Sequence, residues 1–562
     1  MTKRILYTNG RIYTENPAQP WAEAFITEDD KFAYVGDEAG SLAFAKADET
    51  VDLGGKVVIP GLIDGHTHPG TVAKTFWHAR IPRTYDKDEL LEYIKKAAEE
   101  FPKETNPFFY CENYFTETFG EEGPQKEVLD EIIPDRPARI QDFSDHACWY
   151  NSIALDMLKD ENGIPHAPSP MGGEGAFIKN KDGEYTGNCL ESAPDFSDLK
   201  IYEAIGWEPP IIATEEMLTP FFDMLKENGT MGLMDGLTEG EESLQVIYEM
   251  DKAGKFGMFY EGSVCLEEIG ELEETIATLR DWQEKYTTDH IKIRVVKFFI
   301  DGVNDHGDSF SVDPLLNDPT GTYHGEAFAT TEELTEVLVR LNKEGLDMHI
   351  HTVCDGSFRR VCDAVEAAKA ICGDAWQIKV TMAHCELIHP DDVARPAKLG
   401  IYIDATPHWA GGYSDEGVQL FFGYDKWATM FDHRKLIEAG VKVGFSSDVF
   451  NYTESWRANP YVGMQIGMTR VDPEVPLNPE RYPGSMHPPA SAKFTIEQLI
   501  HGYTAVNAER MRLDHIMGSI EAGKIANFVV LKEDIFTYPA EKLGEFKPDR
   551  VYFEGKKGKI KE

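Results

Sequence analysis

The sequence has little that would place the protein outside the cell or within a membrane. Its eight cysteines form no Cys-x-x-Cys pair and no compact framework. This argues against a disulfide scaffold and is typical of reduced thiols in a cytoplasmic enzyme. No apolar run approaches the ~20 residues that a membrane-spanning helix requires. The first residues, MTKRILYTNGRIYTEN, hold only a short apolar run and do not predict a secretory signal peptide.

Positive charge is also scarce. The 562 residues include 55 lysines and arginines against 98 aspartates and glutamates, which gives a formal net charge of −43. Nucleic acids and anionic membranes are disfavoured as partners, because both carry negative charge themselves. The predicted partner is therefore a small-molecule substrate, with a homodimer as a possible assembly.

Strand-like segments occupy both ends of the chain. Residues 4–15, RILYT-NG-RIYTE, predict a β-hairpin that turns at Asn9-Gly10, and residues 24–37 predict a second hairpin. Near the C-terminus, ANFVVLKED and DRVYFEGKKGK are also strand-like. Because chain termini often lie close together, we expect residues 1–60 and 509–562 to form one composite β-sandwich domain.

Between these ends, short apolar strands alternate with helix-like stretches. The eight strand patterns are GLIDGHTH, MGLMDG, KFGMFYEGSV, IRVVKFFIDG, LDMHIH, KVTMAHC, IYIDATP and VKVGFSSD. Such alternation indicates a parallel sheet, and eight strands predict an α/β fold with a (β/α)₈ TIM-like barrel over residues 61–508. About 160 residues separate the first two strands. We therefore expect an inserted subdomain at about residues 75–210.

Residues that can bind metal stand at the carboxyl ends of five of these strands. They are His66 and His68 on the first, Lys297 on the fourth, His351 on the fifth, His384 on the sixth and Asp448 on the eighth. The active site of a (β/α)₈ barrel lies at this face, so we expect the six side chains to converge. Imidazole and carboxylate suit Zn²⁺ and similar ions.

Lys297 is unusual because it interrupts the apolar strand IRVVKFFIDG. Burial favours the neutral amine, which can add CO₂ to become an anionic carbamate that bridges two metals. Two metals could then hold a hydroxide for hydrolysis. The alternative is an ordinary ion pair with Asp301 or another carboxylate, which would leave a site for one metal. Asp448 is the candidate proton shuttle, since a carboxylate there can accept a proton from water and pass it on.

Several longer motifs resemble those of the amidohydrolase superfamily, and more narrowly its YtcJ-like branch, which includes N-substituted formamide deformylases. The motifs span almost the whole chain and include VVIPGLIDGHTH, LDEIIPDRPARIQDFSDHACWYNSIAL, VKFFIDG, HIHTVCDG, MAHCELIHPDDV, GFSSDV and MGSIEAGKIANFVVL. The resemblance implies a barrel with a composite β domain. It also implies that a divalent metal, expected to be zinc at one or two ions per chain, supports hydrolysis of a C–N bond in a small amide, formamide or cyclic amide.

The resemblance also implies individual roles for these residues. His66 and His68 would bind a first metal, and His351 and His384 a second. Carbamylated Lys297 would bridge the two ions, and Asp448 would be both a ligand and the proton shuttle. We interpret His349, two residues deeper on its strand, as a core residue. The alternative function is that of a one-metal deaminase acting on a heterocyclic amine, a different reaction on the same fold.

Aromatic and histidine side chains near the motifs are candidates for substrate contact. They are Trp77, His146, His408 and Trp409. Small-molecule sites are mostly apolar with a few polar anchors, which these residue types could supply, although core packing is the alternative for each. His146 is also a candidate catalytic group, because it could stabilise the oxyanion that develops during hydrolysis.

Overall fold

The computed structural model describes residues 3–82, 84–115, 118–120, 123–142, 147–167, 176–190, 194–412 and 416–558. The chain divides into two compact units. The larger comprises residues 1–71, 214–450 and 454–562, and the smaller comprises residues 72–213 and 451–453. Within the described ranges, no helix combines the length and apolar character needed to cross a membrane.

The N-terminal residues form short strands of two different sheets. The elements are β1 (Arg4–Thr8), β2 (Arg11–Tyr13), β3 (Trp21–Ala22), β4 (Ala24–Glu28), β5 (Lys31–Gly36), α1 (Glu38–Phe44), β6 (Glu49–Asp52) and β7 (Val57–Pro60). One sheet has the strand order β5-β4-β1-β6, whereas β2, β3 and β7 belong to the other.

The predicted hairpin at Asn9-Gly10 is wrong, although Asn9 has the left-handed φ of 56° expected of such a turn. β1 pairs with β4 and β6, whereas β2 pairs with β3 and β7. The reason is that Tyr7 and Ile12 are both buried in one core shared by the two sheets. The turn therefore carries the chain from one sheet to the other. The second predicted hairpin is confirmed by the antiparallel pairing of β4 with β5.

The first barrel strand, β8 (Leu62–Thr67), leads into the smaller unit. The elements that follow it are α2 (Pro69–Lys74), β9 (Ala79–Arg80), α3 (Lys87–Glu100), β10 (Phe109–Tyr114), α4 (Lys126–Ile132), β11 (Ala138–Asp142), β12 (Ala147–Tyr150), α5 (Ser152–Leu158), β13 (Ala176–Lys179), β14 (Tyr185–Leu190) and α6 (Pro194–Ile205). The six strands β9–β14 form one mixed sheet in the order β13-β14-β12-β11-β10-β9.

The remaining barrel strands alternate with helices as predicted, and these strands and helices follow in chain order. They are α7 (Glu215–Glu227), β15 (Thr230–Asp235), α8 (Gly240–Lys252), β16 (Phe259–Leu266), α9 (Leu272–Tyr286), β17 (Ile291–Phe299), α10 (Thr331–Glu344), β18 (Asp347–Thr352), α11 (Asp355–Cys372), β19 (Val380–His384), α12 (Arg395–Leu399), β20 (Tyr402–Ala405), α13 (Gln419–Trp427), α14 (Arg434–Glu438), β21 (Val443–Phe445) and α15 (Pro460–Thr469). The eight strands follow one another in chain order and all pair in parallel. The predicted TIM-like barrel is therefore confirmed.

The last elements return the chain to the N-terminal sheets. They are α16 (Ile496–His501), α17 (Asn507–Arg510), β22 (Phe528–Leu531), β23 (Pro548–Phe553) and β24 (Lys556–Lys557). β22 pairs antiparallel with β7, which completes a sheet of order β24-β23-β22-β7-β2-β3. The two ends of the chain thus share a sheet.

The barrel closes along a seam between its first strand, β8, and its last, β21. The Asn507 side-chain amide donates hydrogen bonds of 2.8 Å to the carbonyls of Ile63 and Phe445, one on each strand. Above them, the backbone N–H of Asp448 donates to His66 O at 2.8 Å. The seam therefore depends on a side chain from α17 as well as on the backbone.

We expect replacement of Asn507 by alanine to destabilise the protein. The substitution leaves two buried carbonyls without their donor, at a cost of about 1–3 kcal/mol in the free energy of unfolding. The check is the midpoint of thermal or denaturant unfolding. The control is Asn317→Ala at an exposed position, where a change within about 0.5 kcal/mol is expected. Equal midpoints for Asn507→Ala and the wild type would contradict this account of the seam.

Candidate metal centre

The six predicted metal ligands lie on five strands of the barrel, at or just beyond their carboxyl ends. Lys297 and His351 lie within their strands, and His384 is the last residue of its strand. Asp448 follows the eighth strand by three residues, and His68 directly follows the first. Parallel strands bring these ends to one face of the barrel.

The two histidines of the first strand face the same direction, as residues two apart on an extended chain should. His66 Nε2 lies 3.1 Å from His68 Nε2, and His68 Nε2 lies 2.9 Å from Asp448 Oδ1. Gly236 makes room for them, because a Cβ there would lie 2.1 Å from His66 Nε2. The first and eighth strands thus present two imidazoles and a carboxylate to one point.

His384 and Asp448 both adopt left-handed backbone conformations, with φ values of 71° and 51°. Such values are unusual for non-glycine residues and persist where surrounding contacts hold them. One such contact lies next to His384, where the backbone N–H of Cys385 donates a hydrogen bond to Thr352 O. His384 Nδ1 then lies 3.5 Å from Asp448 Oδ2, and the His351 ring lies 4.6 Å from the His384 ring.

Lys297 is buried against this cluster, with 1% of its surface exposed. Its Nζ lies 3.5 Å from His66 Nε2. Burial lowers the pKa of Lys297 to about 8, which increases the fraction of neutral amine relative to an exposed lysine. The carboxylate of Asp301, considered above as an ion-pair partner, instead accepts hydrogen bonds from the N–H groups of Val353 and Cys354.

The buried imidazoles are held neutral. Burial and the nearby Lys297 ammonium lower the pKa of His351 to about 3. Burial is also the main cause that lowers the pKa values of His66 and His384 well below the usual range. A neutral imidazole keeps the lone pair that a metal requires.

A divalent metal fits this group of residues. His66, His68 and Asp448 each offer a ligand atom, and these atoms all lie within 4.8 Å of one another. His384 Nδ1 is buried and has no hydrogen-bond partner among the residues that the structure describes. Two imidazoles and one carboxylate form a donor set suited to zinc and similar ions.

Sequence reasoning did not identify three residues that support the cluster from deeper in the barrel. His349 Nε2 lies 3.0 Å from His66 Nδ1, so this residue is buried as predicted but also touches a proposed ligand. Asp404 Oδ2 lies 3.4 Å from the same nitrogen. Arg510 reaches His349 Nδ1 at 3.3 Å. Behind His66 there is thus a second polar layer.

Only one of the three residues had a usable sequence signal. Asp404 stands in IYIDATP, near the carboxyl end of the seventh strand, where the reasoning applied to the other strands would have selected it. His349 differs from His351 only by its depth along the strand. Arg510 comes from α17, far along the chain, and no local pattern indicates its contact with the barrel interior.

Two of the predicted substrate-contacting residues lie beyond the seventh strand and point in different directions. The ring of Trp409, which is partly exposed, stacks on His384 at a centroid distance of 5.1 Å and an interplanar angle of 18°. His408 is buried against α15, where a Cβ on Gly463 would lie 2.6 Å from its Cε1. Trp409 therefore joins the cluster of predicted ligands, whereas His408 packs in the core.

The other two predicted residues belong to the inserted segment. Trp77 is buried within the smaller unit, with ring centroids 5.5 Å from Tyr110 and 5.8 Å from Trp207. These contacts are those of a core residue of that unit. His146 lies outside the described residues.

Three proteins resemble this chain over more than nine tenths of their own length. The N-substituted formamide deformylase of Arthrobacter pascens is 25% identical, covering 98% of this chain and 97% of that protein. The putative amidohydrolase YtcJ of Bacillus subtilis is 24% identical, covering 96% of each. The exoenzymes regulatory protein AepA of Pectobacterium carotovorum is 27% identical over 78% of this chain and 92% of that protein.

Solved structures and a family model agree with these similarities. An uncharacterised metal-dependent hydrolase from Pyrococcus horikoshii has the same fold, with a TM-score of 0.69, 19% identity and coverage of 96% of this chain and 99% of that one. The model that describes the amidohydrolase family matches residues 49–557. This chain, with the barrel and the histidine–aspartate cluster described above, therefore belongs to the amidohydrolase family.

Proposed function

We propose that this protein hydrolyses a C–N bond in a small formamide, amide or cyclic amide, with zinc as its metal. The observation that carries the proposal is the buried cluster of His66, His68 and Asp448, with Lys297 beside it. The name of the Arthrobacter relative, N-substituted formamide deformylase, supports the choice of bond. The expected partner is a small molecule in the cytoplasm, where the eight cysteines would stay reduced as thiols.

In this proposal, the ligands fall into two groups. His66, His68 and Asp448 would hold one ion, and His351 and His384 would hold a second. The 3.5 Å approach of Asp448 Oδ2 to His384 Nδ1 supports a shared centre, because it brings the carboxylate beside both groups. A bound divalent metal would supply a Lewis acid for the scissile carbonyl and lower the pKa of the attacking water.

Lys297 would connect the two groups as a carbamate. The ammonium would first lose one proton to solvent. The neutral Nζ would then form an N–C bond to CO₂ as one C=O π bond breaks, and a second proton would leave to solvent, so that a carbamate anion replaces the cation. The lowered pKa of Lys297 and its position 3.5 Å from His66 Nε2 support this modification. The carbamate would replace a buried cation by an anionic ligand, whose charge a bound divalent metal would offset.

Asp448 is the proposed proton carrier. It would accept a proton from the attacking water and deliver it to the leaving nitrogen. Its two oxygens face different residues, one at 2.9 Å from His68 Nε2 and the other at 3.5 Å from His384 Nδ1. The carboxylate can therefore remain oriented while one oxygen exchanges a proton. Trp409, stacked on His384, would form an apolar wall for the substrate.

The proposed function predicts activity that depends on metal. We expect turnover in a screen of N-formyl amines, N-acyl amino acids, cyclic amides and heterocyclic amines, with release of amine and acid measured. Removal of metal by a chelator should abolish this turnover, and Zn²⁺ or Mn²⁺ should restore it. Turnover confined to heterocyclic amines, with ammonia released, would favour a deaminase instead. Full activity of a metal-free sample would overturn the proposal.

Replacement of Lys297 by alanine should lower both metal content and turnover, because the bridging anion is lost. The measurements are metal content by elemental analysis and steady-state rates on the substrate identified in the screen. Lys292→Ala is the matched control, since Lys292 is the second residue of the same strand and its ammonium donates to Thr288 O, away from the ligand end of the strand. Full metal content and turnover in Lys297→Ala would show that no carbamate is required.

Replacement of Asp448 by asparagine should keep the fold but lower kcat by about 10²–10⁴-fold, the usual contribution of a proton-transfer group. The fold is expected to survive because the backbone of residue 448, not its side chain, bonds His66 O. Metal content measured on the same sample separates the role of Asp448 as a metal ligand from its role as a proton carrier. Loss of kcat with metal retained supports proton transfer, whereas an unchanged rate would contradict it.

A further inference from the structure

Arg510 is a buried cation that the proposed reaction does not use. It is the last residue of α17 and is 4% exposed. The helix also carries Asn507, which bridges the first and last barrel strands. Arg510 thus approaches the barrel interior at the seam, three residues beyond the side chain that closes it.

The guanidinium contacts three groups that surround His66. Its Nη2 donates to the carbonyl of Gly65, the residue that precedes His66. The same nitrogen lies 3.6 Å from Asp404 Oδ1, and Nη1 lies 3.3 Å from His349 Nδ1. These groups come from the first, seventh and fifth strands. One side chain therefore links three strands directly behind the histidine.

The glycine at position 65 is required for this approach. A Cβ there would lie 2.5 Å from Arg510 Nη2 and 2.5 Å from Asp404 Oδ1. These distances are closer than real side-chain carbons tolerate, and both neighbours are buried, so neither can move into solvent. The absence of a side chain at Gly65 lets the cation reach the strand that carries His66.

The two partners of Arg510 flank the far side of the His66 ring. His349 Nε2 lies 3.0 Å and Asp404 Oδ2 lies 3.4 Å from His66 Nδ1. A metal bound at Nε2 requires the ring proton to be on Nδ1, where Asp404 Oδ2 is the available acceptor, and His66 Nε2 faces His68 and Asp448. Groups that orient a metal-binding histidine in this way affect metal affinity strongly.

We propose that Arg510 is a positioning residue for the metal centre. Its guanidinium holds His349 and Asp404 in place, so that His66 Nε2 points at the metal. The inference rests on the proposed metal site. It adds the requirement that Arg510, which is not one of the six ligands, keeps their geometry. It assigns to α17, outside the strands of the barrel, control over the geometry of the first-strand histidine.

The test compares metal binding by three variants and the wild type. Arg510→Gln should weaken binding of Zn²⁺ or Co²⁺ about 10–100-fold, as expected for loss of such a support. It should also change the visible absorption of the Co²⁺-loaded protein, which reports ligand geometry. Arg510→Lys should restore part of the affinity, because it keeps a cation but not the three-way contact. Affinity is measured by competition with a chromophoric chelator.

Arg512→Gln is the matched control. Arg512 lies two residues further along and pairs with Asp347 at 2.7 Å, but it is partly exposed. Its loss should lower stability without altering metal affinity or the Co²⁺ spectrum. Equal weakening of metal binding by Arg512→Gln, or wild-type affinity and spectrum in Arg510→Gln, would overturn the inference.

A further variant, Gly65→Ala, tests the same contact if Arg510→Gln does not fold. The added methyl group should displace the guanidinium while the arginine remains, and metal affinity should again fall. Wild-type affinity in folded Gly65→Ala would contradict the proposal. Failure of the wild type itself to bind either metal would instead reject the proposed function, so the two failures are distinguishable.

Discussion

The closure of the barrel between its first and last strands is the constraint on which the site depends. His66 and His68 stand on one side of the seam and Asp448 on the other, so the predicted ligands meet only if β8 and β21 lie side by side. Regular pairing alone does not secure the junction. The Asn507 amide bonds both strands, and the N–H of Asp448 bonds His66 O.

Burial at this face sets the charge states that the chemistry needs. The same desolvation lowers the pKa values of His66, His351 and Lys297, because it penalises the charged form of each. Neutral imidazoles can bind metal, and a neutral amine can react with CO₂. A lysine that would be a costly defect in an ordinary strand is therefore suited to a site that binds cations.

Much of this could be predicted from the sequence, since strand order and the residues at strand ends are local patterns. The eight strands and the convergence of histidines follow from periodicity and from the rule that barrel sites lie at carboxyl ends. Contacts set by tertiary structure could not be predicted. The Asn9-Gly10 turn joins two sheets because their shared core buries both flanking strands. Likewise, His408 and Trp409 are adjacent but contact different parts of the molecule, Gly463 and His384, which composition does not indicate.

The sheet formed by both ends of the chain acquires a physical role from its connections. β7 ends directly before β8, and β22 pairs with β7, so the sheet formed by both chain ends supports the entry to the first barrel strand. The hydrogen bond from Gly61 N to Asn527 O fixes that entry. The segment that carries Asn507 and Arg510 continues along the chain into β22 of the same sheet. The strand that carries His66 is thus held at its start by the sheet of both chain ends and along the seam by α17, so residues far from the ligands in the sequence contact the strand that presents them.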